Sequence, residues 1–505
     1  MEIINSIMTW VMKKRIHQID LFRKYPHDVQ NELFSSLLDT AKNTDWGKKY
    51  GYAEITSVEE YKKRVPISTY EDLFPHIERV MKGEQNVLWP STISWFAKSS
   101  GTTNARSKYI PVSPESLEDC HYKGGKDMLS IYTILYPDTR VFNGKSLSIG
   151  GSLRENEYNP KSYCGDVSAV IMRNLPIWAE AKRTPPLKVA LMDKWEEKIE
   201  AMADITVKEN VTSLTGVPTW TYVLLNRILE LTGKNNILEV WPNLELFAHG
   251  AVAFGPYREL FKQLIPSDQM HYLEIYNASE GFFGIQDQAG THDEMLLMLD
   301  YGVYYEFIPM DEIDLDDPKA LTLDQVELDK NYALVISTNA GLWRYKIGDT
   351  IKFTSLEPYR IKISGRTKHF INAFGEELII ENAETAIIEA CQKTNAIMAN
   401  FTAAPVYFEG KNRGGHEWVI EFSREPDNLE TFRQVLDETL RTINSDYDAK
   451  RQNDLALRAP IIQLAPPGTF HQWLRNKGKL GGQNKVPRLS NSREYLEEIL
   501  ELLAS

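Results

Sequence analysis

Apolar residues over positions 5–42 recur at three- and four-residue intervals with one interruption at Pro26, which predicts two amphipathic helical runs in succession. Short helices with turns are expected over 58–65 and 67–80, delivering the chain to a strand end at Ile93, Trp95 and Phe96. Ser113-Pro114-Glu115 has the form of an N-cap with proline at the first helical position, so a helix is predicted over 113–136. Positions 146–151 (SLSIGG), 212–217 (TSLTGV) and 244–250 then have the pattern of short buried strands, and Pro218 starts an amphipathic helix to Leu231. Alternating strands and helices of this kind predict an α/β domain with a mixed, mainly parallel sheet covered on its faces. Ligands are expected at the carboxyl ends of its strands.

Past residue 270 the texture turns to β. LEIYNASEGFFGI, EMLLMLDYGVYYEFIPM, YALVISTNAGLWRYKIGDTIKFTS and YRIKISGR are short apolar runs separated by turns. From Gly365 onward a second unit is expected: a short strand and turn, a helix over 380–393, strands in ANFTAAPVYF and EWVIEF, a long helix over 428–443, the strand IIQLA and a helix over 469–476. This makes a small α+β C-terminal domain, about 135 residues and large enough to fold alone. The predicted organisation is therefore a large N-terminal domain over 1–365 and a small one over 366–505.

Composition changes this picture little. The 505 residues exceed one usual core, and 42% hydrophobic with 25% charged residues is ordinary for a soluble globular chain. A net charge of -13 argues against a general nucleic-acid binder, although a local basic patch can still hold a nucleotide. Cys120, Cys164 and Cys391 are far apart with no CxxC, which fits a reducing cytoplasm. The N-terminal run interleaves apolar residues with charges and lacks a cleavage site, so it is an amphipathic helix and not a signal, and no apolar run approaches the ~20 residues of a membrane helix. The acidic stretch 311–317 lacks the alternating ligands and turn glycine of a calcium loop and is expected to be a solvated surface loop.

The chemistry begins at Ser99-Ser100-Gly101-Thr102-Thr103, which follows an apolar strand end and precedes a basic patch reaching Lys108. Small residues there let backbone N–H groups approach an anion, hydroxyls can donate to it, and Lys108 supplies a mobile cation. It is not a Walker loop, because Gly101 is followed by TTNARSK where GxxxxGK[ST] requires a Gly-Lys pair. Strand, loop and helix are expected in that order. Taken alone, SSGTT is more readily a solvated turn, since Ser, Thr and Gly are ordinary loop formers.

Three further stations follow: Tyr276-Asn277-Ala278-Ser279-Glu280, Tyr345-Lys346-Ile347-Gly348-Asp349 and Gly365-Arg366-Thr367-Lys368. In order and spacing the four resemble those of adenylate-forming enzymes, namely acyl-CoA ligases, luciferases and peptide-synthetase adenylation domains. The chain resembles more closely the auxin-responsive acyl acid amido synthetase family, in the form of its bacterial relatives. KYPHDVQNELF near the start and Gln483-Asn484-Lys485-Val486-Pro487-Arg488 near the end extend the resemblance over nearly the whole chain.

The resemblance implies ATP-dependent activation of a carboxylic acid to acyl-AMP with release of pyrophosphate, then transfer of the acyl group to an amine, an amino acid, to form an amide. It assigns the hydroxyl loop and Lys108 to the outgoing phosphates, Tyr276 to adenine stacking within the YNASE station, Glu280 to Mg²⁺, and Asp349 to the ribose hydroxyls. Arg366 stands for a ribose or phosphate contact, residues 367–368 for the interdomain hinge, and Lys485 for a late lysine that approaches the phosphates. The chain departs from the family at Ala105, where a second glycine is usual. His249 beside Gly250 either lines the pocket near adenine or is a strand-end histidine of the core. Aromatic and small apolar residues of 123–177 and 218–222 are candidates for shaping the acid pocket, and ordinary core packing explains them equally well. Two rival functions stand beside this one: a thioester-forming ligase such as an acyl-CoA ligase, separated by a thiol acceptor, and a nucleotide-binding protein without turnover, separated by ATP binding without pyrophosphate formation.

Overall fold

Pro26 starts a helix where the pattern suggested an interruption. In the computed structural model, which describes residues 2–99, 108–291, 293–313, 315, 317–367, 370–408, 413–477 and 487–504, Pro26 opens the helix Pro26–Ala41 after Ile16–Lys24. Proline fits the first turn because its missing N–H has no intrahelical partner there. Ser57 caps Val58–Arg64, and Thr69 forms a capping box with Asp72 at the head of Tyr70–Met81, so that helix begins three residues later than the apolar pattern implied. The extended residues before it are held by Ser68, which bridges to Tyr345.

β1 (Trp95–Ser99) and β2 (Lys108–Val112) form an antiparallel hairpin. β3 (Lys145–Ser148) belongs to the main sheet, while β4 (Leu153–Asn156) and β5 (Asn159–Gly165) complete a small sheet of order β2-β1-β5-β4. The main sheet continues with β6 (Arg183–Thr184), β7 (Val211–Gly216), β8 (Leu246–His249) and β9 (His271–Ala278), which with β3 pair in parallel in the order β6-β3-β7-β8-β9. β10 (Gly281–Ile285), β11 (Met295–Leu297), β12 (Val303–Pro309), β13 (Asn331–Thr338), β14 (Tyr345–Leu356) and β15 (Tyr359–Arg366) extend the same sheet with antiparallel pairing only.

The α/β class and the large mixed sheet are as expected, but parallel pairing is confined to one half. The reason is connection length. Helical crossovers such as Pro218–Thr232 join the parallel strands, whereas β9 to β15 follow one another through turns and loops without such crossovers. A buried ion pair ties the antiparallel half to the N-terminal helices: Arg344 donates to both oxygens of Glu306 at 2.9 and 3.0 Å and to the carbonyl of Val65.

The C-terminal part has β16 (Phe370–Ile371) and β17 (Leu378–Ile379) as a small hairpin and β18 (Ile397–Val406), β19 (Gly415–Arg424) and β20 (Ile461–Ala465) as a three-stranded sheet. Alternation along β19 sends Trp418, Ile420 and Phe422 into one core with Phe432 and Leu436 of the helix Leu429–Ile443, and Val419 into another with Phe470, Trp473 and Leu496. Tyr257 joins the two parts of the chain by donating to the carbonyl of Ala373 at 2.7 Å, and Tyr222 packs on Phe408 with ring centroids 5.0 Å apart. Among the described residues no helix is long and apolar enough to cross a membrane.

Candidate active site

The hydroxyl-rich segment lies between two antiparallel strands. Ser99 ends β1 opposite Lys108, which starts β2, and the helical run that opens at Pro114 comes only after β2. The expected order of strand, loop and helix is thus corrected: two paired strands, not one, precede the helix. Ser113 caps that helix by accepting from Ser116 N–H, and its hydroxyl donates to the carbonyl of Asn339. Ser100, Gly101, Thr102 and Thr103 lie outside the described residues. Lys108 is no freely mobile cation. Its ammonium donates to the Tyr345 hydroxyl at 3.3 Å and sits 5.8 Å from the ring centroids of both Tyr70 and Tyr345. Burial lowers its pKa from the ordinary lysine range, against the pull of Glu280.

The remaining polar stations meet where β9, β14 and β15 come together. Glu280 closes the tight turn between β9 and β10 and is 9% exposed. Asp349 pairs with Arg366 across β14 and β15, with the preceding Gly348 at φ +99°, a conformation that side chains disfavour. Arg366 Nε donates to Asp349 Oδ1 at 2.8 Å, and the Tyr276 hydroxyl donates to Asp349 Oδ2 at 2.5 Å. Glu377 adds a second carboxylate, 3.8 Å from the Arg366 guanidinium. Burial pushes the Glu280 carboxyl up to about 7; Lys108 opposes this and Asp349 adds to it. Burial works against the Arg366 charge, but Asp349 and Glu377 more than offset it and hold it raised.

Tyr276 is 6% exposed, edge-on to Phe283 at 4.9 Å, and burial followed by Asp349 raises its pKa well above the ordinary range. In this conformation its hydroxyl serves Asp349. The cluster therefore couples two cations, three carboxylates and a phenol, drawn from β2, the β9–β10 hairpin, β14, β15 and Glu377, a set whose donors and acceptors can meet phosphate and ribose groups. Among the described residues, groups of three or more His, Cys, Asp or Glu able to hold a metal are absent. Glu280 by itself offers one carboxylate, a donor set that would suit Mg²⁺ only if phosphate and water completed the octahedron.

Beside this cluster a cavity of 420 Å³ opens along one face of the parallel strands. Its floor is built from alternate residues, Ser146 and Ser148 of β3, Ser213 and Thr215 of β7, then Ala248 of β8 and Gly250 just past it. These side chains are small, so the space above them stays open. Met128 and Leu129 of the helix Lys123–Leu135 and Ile171 of Val167–Arg173 form part of the apolar lining. Asn277 joins cavity and cluster, since it lines the first and is bracketed in sequence by Tyr276 and Glu280 of the second. Gly250 also sets the strand spacing: a Cβ there would stand 2.3 Å from the carbonyl oxygen of Ile275.

Alternation decides the histidine. Because Leu246, Ala248 and Gly250 face the cavity, His249 faces away, 2% exposed and stacked on Phe254 at 4.0 Å, with burial pulling it down to about 3. It is the core histidine. His121, which sequence reasoning passed over, is at the cavity instead. The helix widens to π geometry over Leu117–Tyr122, and His121 Nδ1 lies 2.9 Å from the amide oxygen of Asn277, neutral because burial lowers it to about 4. Its donation there leaves the Asn277 NH₂ as a donor on the lining.

Of the two stretches expected to shape an acid pocket, 123–177 contributes residues to the lining of this cavity and 218–222 does not. Those residues sit inside the helix Pro218–Thr232, with Trp220 stacked on Trp195 and Tyr222 tilted against Phe408. Ala278 ends β9 and Ser279 follows it in the turn. Lys368 and Lys485 lie outside the described residues.

Comparison with known proteins covers the same span. The GH3 family N-terminal domain matches residues 15–270, its central domain 296–366 and its C-terminal domain 381–494. The chain is 24% identical to indole-3-acetic acid-amido synthetase GH3.3 of Arabidopsis thaliana, over 94% of this chain and 91% of that protein. Among solved structures it is similar to the AtGH3.15 acyl acid amido synthetase in complex with 2,4-DB, with a TM-score of 0.60 at 18% identity, covering 94% of this chain and 93% of that one. It also shares its fold with 2-hydroxyisobutyryl-CoA ligase in the thioester-forming state, with a TM-score of 0.56 at 13% identity, covering 94% and 91%.

Proposed function

From the premise that the chain belongs to the GH3 family, we infer that it is an ATP-dependent acyl acid amido synthetase. One carboxylate oxygen of the acid attacks the α-phosphorus of ATP, the bond to the β-phosphate oxygen breaks, and pyrophosphate leaves. The amine of an amino acid then attacks the acyl carbonyl carbon; AMP departs with the bonding pair, and the amine proton goes to solvent.

The observation that carries this function is the junction at the end of β9. One hairpin supplies Tyr276 and Glu280 to the polar cluster and Asn277 to the apolar cavity, so an acid bound in the cavity would present its carboxylate beside groups suited to a nucleotide. Lys108 and Arg366 would offset triphosphate charge, and Asp349 would accept from the ribose. Lys485 would bring a further cation to the phosphates, and the hydroxyl loop Ser99, Ser100, Gly101, Thr102 and Thr103 would donate to them. Glu280 would hold Mg²⁺, which shields the phosphates when bound. The chemistry rests on positioning and charge stabilisation, with no covalent enzyme intermediate.

Rotation of residues 366–505 about a hinge at 367–368 would exchange the adenylation arrangement for one open to the amine. Lys98 Nζ donates to Ser445 Oγ at 3.0 Å and Asn372 Nδ2 to the Ala251 carbonyl at 3.0 Å, and both contacts would break. The three free thiols fit a reducing compartment such as the cytoplasm.

The test is acid-dependent exchange of labelled pyrophosphate into ATP across aromatic, aliphatic and keto acids, followed by AMP release with amino acids and with coenzyme A. Exchange with AMP release on amino acids is the expected result. Release with coenzyme A alone would assign the thioester-forming reaction, and MgATP binding without exchange would assign a nucleotide-binding protein without turnover.

A further inference from the structure

The cavity has a length as well as a volume. On β8 and just past it, Leu246, Ala248 and Gly250 all face it, and these four steps span about 13 Å at about 3.3 Å per residue. Ser213, Thr215 and Val217 run beside them in the same direction, because β7 and β8 are parallel. A carbon–carbon bond of about 1.52 Å and an angle near 111° advance an extended alkyl chain by about 1.25 Å per carbon. The floor therefore accommodates about ten carbons along the strands. Volume agrees: 420 Å³ divided by the ~30 Å³ of one liquid water, close to the size of a methylene, gives about fourteen groups.

The two ends differ in chemistry. At the carboxyl end of the strands stand Asn277 and His121, next to the polar cluster. At the other end the short helix Ile177–Glu180 leads into β6, which pairs with the start of β3, and its Ile177 and Trp178 are 90% and 42% exposed. Trp178 also lines the cavity, so the apolar lining continues to the surface as a lip. Two of the cations on the lining are committed elsewhere: Lys182 Nζ donates to the Phe142 carbonyl at 2.8 Å, and Arg183 forks onto Glu180.

We infer that the acid taken by this site is a monocarboxylic acid with an apolar body of about ten to fourteen carbons, its carboxylate at Asn277 and its far end under Trp178. This assignment of substrate class rests on the adenylation proposed above. Its size term follows from the small residues at alternate positions of β3, β7 and β8, which leave room that a single-ring acid does not fill.

The experiment measures both pyrophosphate exchange and equilibrium binding, in the presence of a non-hydrolysable ATP analogue, for straight-chain acids from butanoate to octadecanoate. Fused-ring acids of matched carbon number distinguish straight from cyclic bodies, and α,ω-dicarboxylates probe Lys126, the further cation on the lining. kcat/KM is expected to rise about fourfold per added methylene until the cavity is full, and then to stop rising. Trp178→Ala at the exposed lip should move that stop to longer chains, and Ser146→Phe on the floor should move it to shorter ones. Length-dependent binding without exchange would keep the size assignment and remove adenylation. Exchange that is best with benzoate or hexanoate, or with dicarboxylates, would overturn the size assignment and keep adenylation. Neither binding nor exchange with any acid would overturn both.

Discussion

Replacing Glu280 by Gln should make the protein more stable at alkaline pH while removing its Mg²⁺-dependent activity. The carboxyl is buried and pushed from 4.5 to about 7. At about 1.36 kcal/mol per pH unit, this displacement corresponds to about 3 kcal/mol. The folded chain holds the proton more tightly than the unfolded chain does. Between 4.5 and about 7 the folded state therefore binds more protons, and stability falls as pH rises through that window. The contribution is fully present below 4.5 and lost above about 7. A neutral Gln side chain escapes the loss. Urea midpoints of both proteins at about pH 4 and about pH 8.5 should therefore show a difference that shifts in favour of Glu280→Gln by about 3 kcal/mol at the higher pH. In pyrophosphate exchange the same variant should lose its response to Mg²⁺, because an amide oxygen is a poor substitute for a carboxylate ligand. A stability difference independent of pH would refute the burial argument, and an unchanged Mg²⁺ response would remove the metal role.

Gly250→Ala should cost about 2–4 kcal/mol, since its Cβ would press on a strand carbonyl and neither backbone can yield; thermal unfolding within about 0.5 kcal/mol of wild type would contradict this. Lys368→Pro should leave acid-dependent pyrophosphate exchange in place and slow amide formation if the chain turns at 367–368. Equal loss of both half-reactions would count against domain rotation.

Local patterns carried far in this protein. The helix starts at Val58 and Pro114 follow from the caps Ser57 and Ser113, which act within one turn and are written in adjacent residues, whereas Pro26, which reads as an interruption, opens a helix as its first residue. Most of the C-terminal strands and helices follow from their periodicity as well, but the helices Ser445–Arg451 and Glu494–Ala504 are not among those it predicts. The hydroxyl loop, YNASE, IGD and GRTK were visible as separate stations, and their order carried the family resemblance. What they do to one another was not visible. That Tyr276 and Arg366 share the two oxygens of Asp349 depends on the register of β14 against β15 and on the approach of β9, which are pairings between distant segments.

The parallel half of the sheet was anticipated from alternating strands and helices, but its confinement to one half depends on which strands are joined by short turns. His249 and His121 show the limit most clearly. A histidine beside a glycine at a strand end drew attention, yet the face it occupies depends on which side of β8 is floored over. His121 lay within a helix with no neighbouring signal, and a π turn brought it against Asn277. The alternation of small residues in SLS, TSLTG and AHG was in the sequence throughout. Only the stacking of β3, β7 and β8 side by side converts three short patterns into one cavity, because an empty volume belongs to the packing between elements and not to any one of them.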